Sequence, residues 1–179
     1  MKKNLHRLIT AAALIILLLS STAGCIDLFP WSTYTSKNHN YSFEYPRTWS
    51  ATEPYSGQMV MIKSPDESET ISVLASDSKG MALDQVVNYY VYLTQQGGYS
   101  YKIVSDSNVA FQGIPARELD VVYQSQKDSP VLTVKELYLI NNGQYYLVRF
   151  STKQSDLTPL AATYQHVFSS FKIINPEGR

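Results

Sequence analysis

Val131 to Ile140 (VLTVKELYLI) and Gln144 to Thr152 (QYYLVRFST) are two strand-forming runs joined by Asn141-Asn142-Gly143. β-Branched and aromatic residues dominate both runs. An Asn-Gly pair between such runs is a strong hairpin signal, because a tight turn with the twist of its strands needs positive φ at its centre. The chain is therefore built around antiparallel pairing. Other segments repeat the theme. Tyr41, Phe43 and Tyr45 alternate with Ser42 and Glu44 until Pro46 stops the strand. Gln58 to Ser64 and Thr70 to Asp77 flank the turn-forming Ser64-Pro65-Asp66-Glu67-Ser68. Phe111-Gln112-Gly113 turns a strand over Tyr99 to Ala110 into another over Ile114 to Gln124.

Two segments switch to helical spacing. Leu83, Val86, Val87, Tyr90 and Leu93 fall on one face, and Gly97-Gly98 ends that helix. A second helix starts near Ser155 to Pro159 and presents Leu157, Leu160, Ala161, Tyr164, Val167, Phe168 and Phe171 as a 3.6-period stripe. Lys172-Ile173-Ile174 then suits a short final strand. Hairpins with two helices and no strand–helix–strand alternation give an α+β fold, an antiparallel sheet with helices on its faces.

The first 24 residues have a different character. Lys2, Lys3 and Arg7 precede an almost wholly apolar run, Leu8 to Leu19, and then small residues lead to Cys25. These are the three parts of an export signal. Cys25 is the only cysteine and follows Ala23-Gly24, as in a lipobox, where the thiol is lipidated and becomes the new N-terminus. Thr22 stands where such motifs usually have Leu. The alternative is an uncleaved anchor, since Leu8 to Gly24 reaches the short edge of the ~17–25 residues that span a bilayer. Both readings put the domain on the extracytoplasmic side. The expected organisation is a signal peptide over 1–24, a lipidated N-terminus and tether over 25–40, a domain over 41–175 and a tail over 176–179. Within the tether, Tyr34-Thr35-Ser36 can already be a short first strand, and Phe29 and Trp31 either meet the lipid interface or pack onto the domain. Without the leader the net charge is −3, so no basic surface argues for nucleic acid. With one cysteine, packing alone must stabilise the domain.

Several phrases together resemble the PsbP/Mog1-like superfamily. They are Tyr41-Ser-Phe-Glu-Tyr-Pro46 followed by Trp49, Gly113-Ile-Pro-Ala-Arg117 opening a strand, Asn142-Gly143-Gln144-Tyr145-Tyr146, and Phe168-Ser-Ser-Phe-Lys-Ile173 near the end. The resemblance implies an α/β/α sandwich around a six- or seven-stranded antiparallel sheet. It supplies no single function. Plant members assist photosystem II, a yeast-type member binds a small GTPase, and many prokaryotic members are lipoproteins. None of the quoted residues carries the photosynthetic role, and fold alone does not imply function.

Catalytic chemistry needs a nucleophile with its base, a carboxylate pair, a metal cluster or a phosphate loop. After the leader only His39 and His166 remain, and both read as exposed or partly packed. HExxH, CxxC, GxSxG and glycine-rich phosphate motifs are absent. Glu118 and Asp120 share one strand face, and Asp66, Glu67 and Glu69 crowd one loop, but neither group has the ligand spacing of a Ca²⁺ loop. Asn40-Tyr41-Ser42 is a short glycosylation sequon at Asn40. Tyrosine is the compositional oddity, with 14 copies. Tyrosine favours interfaces because it buries area while keeping a hydroxyl wet. Tyr89, Tyr92, Tyr99 and Tyr101 are therefore the expected partner surface. The leading expectation is a lipid-anchored, non-catalytic module for a protein partner, without cofactor or metal. A small-ligand lipoprotein with a pocket between sheet and helix is the second reading, and a hydrolase with an unrecognised site the third.

Overall fold

The structure is a computed structural model that describes residues 30–36, 38–54, 58–153 and 161–174. The central hairpin forms as its turn demands. Strands β8 (Leu132–Asn141) and β9 (Gln144–Thr152) pair antiparallel with Asn141 opposite Gln144. Asn142 and Gly143 carry the positive φ of the tight turn, 50° and 77°. The same device recurs at Gln112 (φ 51°) and Gly113 (φ 81°), which join β6 (Ser100–Phe111) to β7 (Ile114–Gln124).

Strands β3 (Ser50–Thr52), β4 (Met59–Lys63) and β5 (Glu69–Asp77) complete a seven-stranded sheet of order β3-β4-β5-β9-β8-β7-β6. Every neighbouring pair is antiparallel. Strands β1 (Trp31–Ser36), β2 (Tyr41–Pro46) and β10 (Lys172–Ile173) form a second sheet, with β2 in the middle. The Tyr41–Tyr45 strand thus lies outside the large sheet. β1 starts at Trp31, so residues 31–36, assigned from sequence to the tether, pair along the whole of β2. β3 has no counterpart among the strands expected from sequence; its three exposed residues carry no alternation.

Both faces of the large sheet are covered, which splits the core in two. On β9, Tyr146, Val148 and Phe150 point to one side and Leu147 to the other. The first side meets Tyr41, Phe43 and Phe171, together with Val167 and Phe168 of helix α2 (Ala161–Ser170). The second side meets Val86 and Val87 of helix α1 (Leu83–Gln96). The expected α1 stripe holds for Val86 and Val87, whereas Leu93 at its end is 45% exposed. The expected start of α2 near Ser155 to Pro159 lies outside the described residues, as do Leu157 and Leu160 of its stripe, the leader, Cys25, Thr22, Phe29 and the tail. Among the described residues no helix is long and apolar enough to cross a membrane.

Candidate functional site

The register of the central hairpin sets Glu136 of β8 opposite Arg149 of β9, on the face beneath α1. Glu136 is fully buried, and its Oε1 lies 2.5 Å from the Arg149 guanidinium. Its Oε2 accepts from the hydroxyls of Tyr101 and Tyr138, each at 2.7 Å. A buried carboxylate is costly unless paired and hydrogen-bonded. Here one guanidinium and two hydroxyls meet it, while the buried Arg149 Nε has no hydrogen-bond partner among the described residues. Burial, with the Glu136 charge next, pushes both phenols well above their ordinary range. They remain hydrogen-bond donors at any physiological pH. This accounts for Tyr101, expected on the partner surface: it is 9% exposed and held inward by Glu136. The sequence contained the clue, since the Asn142-Gly143 turn fixes which residues of β8 and β9 face each other.

Beside this network a groove of about 480 Å³ opens between α1 and the ends of β5 and β9. Tyr90 and Tyr145 meet on its inner side, hydroxyl to hydroxyl at 2.9 Å. Tyr89 and Leu93 extend the helix wall, and Ser76, Asp77 and Lys79 supply polar groups at the end of β5. Tyr89 (51% exposed), Tyr92 (58%) and Tyr99 (41%) all present rings to solvent, as the sequence led one to expect. The tight helix exit helps to place Tyr99. A Cβ on Gly97 would stand 2.6 Å from its ring, so only glycine lets the ring fold back there.

Most of the remaining polar candidates have structural partners, though the buried Nδ1 of His39 has no hydrogen-bond partner among the described residues. Lys135 bridges Glu118 at 3.0 Å and Asp120 at 2.6 Å, and the Tyr164 hydroxyl donates to Glu118 at 2.7 Å. An ammonium therefore occupies the place a cation would take. Asp66 accepts from the Ser64 hydroxyl and from the backbone and hydroxyl of Ser68, and these bonds hold its carboxyl down to about 2. Glu67 pairs with Lys63 at 3.3 Å. No group of three metal-ligating side chains exists among the described residues. His166 stacks on Trp31 at 3.7 Å and meets Glu44 at 2.7 Å. Trp31 therefore packs onto the domain. The carbonyl of His39 accepts from the Tyr146 hydroxyl at 3.2 Å. Asn40 sits in the turn before β2 (φ 52°), its carbonyl accepting from Ile174.

The PsbP family model matches residues 31–173, from the first residue of β1 to the last of β10. The chain belongs to the PsbP family. The fold is similar to that of cyanobacterial PsbP (CyanoP) from Synechocystis sp. PCC 6803, with a TM-score of 0.64 and 15% identity over 85% of this chain and 97% of that one. It is similar to a protein from Bacteroides thetaiotaomicron at a TM-score of 0.61 and 13% identity, over 84% of this chain and about half (51%) of that one. It is also similar to LpqN, involved in cell envelope biogenesis of Mycobacterium tuberculosis, at a TM-score of 0.51 and 15% identity over 83% and 87%. No curated protein matches in sequence.

The phrases that carried the PsbP resemblance are scaffold in this chain. Trp49 stacks on Phe150 at 6.5 Å, and Phe171 meets Tyr41 at 5.6 Å and Tyr146 at 6.0 Å. Arg117 is a clamp. It donates through Nε and Nη2 to Asp106 of β6 (2.7 and 2.6 Å), and through Nη1 to Asp84 in the first turn of α1 (2.9 Å). Arg117→Ala should cost about 1–2 kcal/mol at neutral pH, as read by chemical denaturation. The Arg117 bonds hold the Asp106 carboxyl below its ordinary range. A folded-state pKa below the unfolded value gives stability above about pH 4, near the ordinary carboxylate value. That stability is lost as pH falls through the folded value. The gap between the native protein and Arg117→Ala should therefore narrow below about pH 4; a gap that is flat with pH would separate Arg117 from Asp106.

Proposed function

We propose that this chain is a non-catalytic binding or assembly module, exported by its leader and held on the extracytoplasmic face of the membrane by a lipid on Cys25. The observation that carries the binding role is the exposure of Tyr89, Tyr92 and Leu93 on α1 and of Tyr99 just after it. A water-soluble domain rarely leaves several large apolar side chains together in solvent without a partner for them. Arg117, Asp106, Glu118, Asp120, Lys135, Glu136, Arg149 and His166 are tied into structural pairs, which supports a role without catalysis. The likeness to LpqN, a protein involved in cell envelope biogenesis, supports placing that role at the envelope.

The partner surface is tested by replacing Tyr89, Tyr92 and Tyr99 with Ser and crosslinking in intact membranes. Folding is expected to persist, because each ring is exposed, and capture of the protein partner to fall severalfold. Unchanged capture would remove this surface from consideration. The anchor is tested by Cys25→Ser. The variant should lose the lipid-modified N-terminus in mass spectra and leave the membrane fraction. If it is processed and membrane-held as before, the uncleaved helix replaces the lipid. A second reading, a small-ligand lipoprotein, is favoured by the groove beside α1, which joins aromatic walls to several convergent polar groups.

A further inference from the structure

We infer that the groove beside α1 binds a short, uncharged saccharide; this deepens the small-ligand reading and rests on it. Its volume of about 480 Å³ falls within the ~300–1,000 Å³ of small-molecule sites. Three features of its lining select the class of occupant. The half-exposed ring of Tyr89 stands at 87° to that of Tyr90, with centroids 6.4 Å apart, so the groove has an aromatic face and a second ring set across it. An aromatic face accepts the C–H side of a pyranose ring by burial and dispersion.

The inner side sets paired hydroxyls beside the apolar Met81 and Val86. Whichever of Tyr90 and Tyr145 donates to the other, the acceptor keeps its own proton to donate onward. Burial pushes the Tyr90 phenol well above its ordinary range, so it stays protonated. A purely hydrocarbon occupant would leave that remaining proton without an acceptor, whereas a polyol supplies one.

The polar side holds one acid and one base, Asp77 and Lys79, with Ser76 beside them. Asp77 Oδ1 already accepts the Lys79 backbone N–H at 2.7 Å. Opposite charges in one lining leave it no net charge to favour an anion or a cation. They do give the mixture of acceptors and donors that sugar hydroxyls use.

The test is calorimetry on the full chain in nanodiscs, which carry no sugar-headed detergent, with N,N′-diacetylchitobiose, maltose and cellobiose as probes. At least one should bind with a Kd of about 1 mM or tighter. Tyr89→Ala and Tyr145→Phe should each weaken that binding tenfold or more, with melting curves close to native. Tyr92→Ser, outside the groove, should leave it unchanged while lowering partner capture. Silence from all three sugars at about 10 mM, tenfold above that Kd, overturns the saccharide assignment. So does binding that Tyr89→Ala does not weaken. A fluorinated fragment library read by ¹⁹F NMR separates the two layers. Fragments that bind in a Tyr89-dependent way without any sugar binding overturn the saccharide alone. No fragment binding in the groove overturns the small-ligand reading as well.

Discussion

Glu136→Ala is expected to unfold about 10 °C below the native protein in a circular-dichroism melt. The substitution strands Arg149 opposite an empty site and deprives Tyr101 and Tyr138 of their shared acceptor beneath α1. Removing one partner of a buried ion pair costs about 3–5 kcal/mol, because the other charge stays behind without compensation. In a domain of this size each kcal/mol moves the midpoint by roughly 2–4 °C. Arg149 keeps about a third of its side chain in solvent, 31%, which places the expected cost toward the lower end of that range. The double variant Glu136→Leu, Arg149→Met should recover most of the loss, since an apolar pair of similar volume requires no charge to be desolvated. If Glu136→Ala melts within a degree or two of native, the pair contributes nothing and the packing of α1 alone holds this face.

Phe171→Ala should produce a loss of similar size on the opposite face, about 3–5 kcal/mol, as read by chemical denaturation. Phe171 is 1% exposed and touches four other rings, Tyr41, Phe43, Phe111 and Tyr146. Its carbonyl also accepts from the Gln112 amide at 2.6 Å, which ties the β6–β7 turn to the end of α2. Alanine keeps that backbone bond and removes the ring, so the cost is the cavity and the lost burial. A loss below about 1 kcal/mol would show that the neighbouring rings collapse into the space. Because the two faces share few neighbours, Glu136→Ala and Phe171→Ala should be close to additive.

Much of this architecture is legible in the chain because its signals are local. Asn142-Gly143 and Gln112-Gly113 dictate two turns through positive φ, and period-2 runs supply the strands on either side. Strand β3 was not legible, since three exposed residues carry no alternation and pair only because β4 offers an edge. The membership of β2 in a separate sheet was not legible either. Its alternation buries Tyr41 and Phe43 equally well in either sheet, and the choice rests on distant partners, β1 and β10.

The candidate site divides in the same way. Tyr89, Tyr92 and Tyr99 were found by composition and position, and they are exposed. Tyr101 was grouped with them by adjacency, but it is the one buried residue of β6 and its hydroxyl donates to Glu136. Ser76, Asp77, Lys79 and Tyr145 had no sequence signal, because the groove joins the end of β5 to α1 across a gap in the chain. By itself the sequence determined the α+β class, the tight turns at Gln112-Gly113 and Asn142-Gly143, and the hairpin register that opposes Glu136 to Arg149. Those properties follow from neighbours within a few residues or across one tight turn. Only the tertiary structure decided that Glu136 is buried, that Lys135 fills the space between Glu118 and Asp120, and that a tyrosine-lined groove runs beside α1. These depend on which face of the sheet a helix covers, and long-range packing sets that.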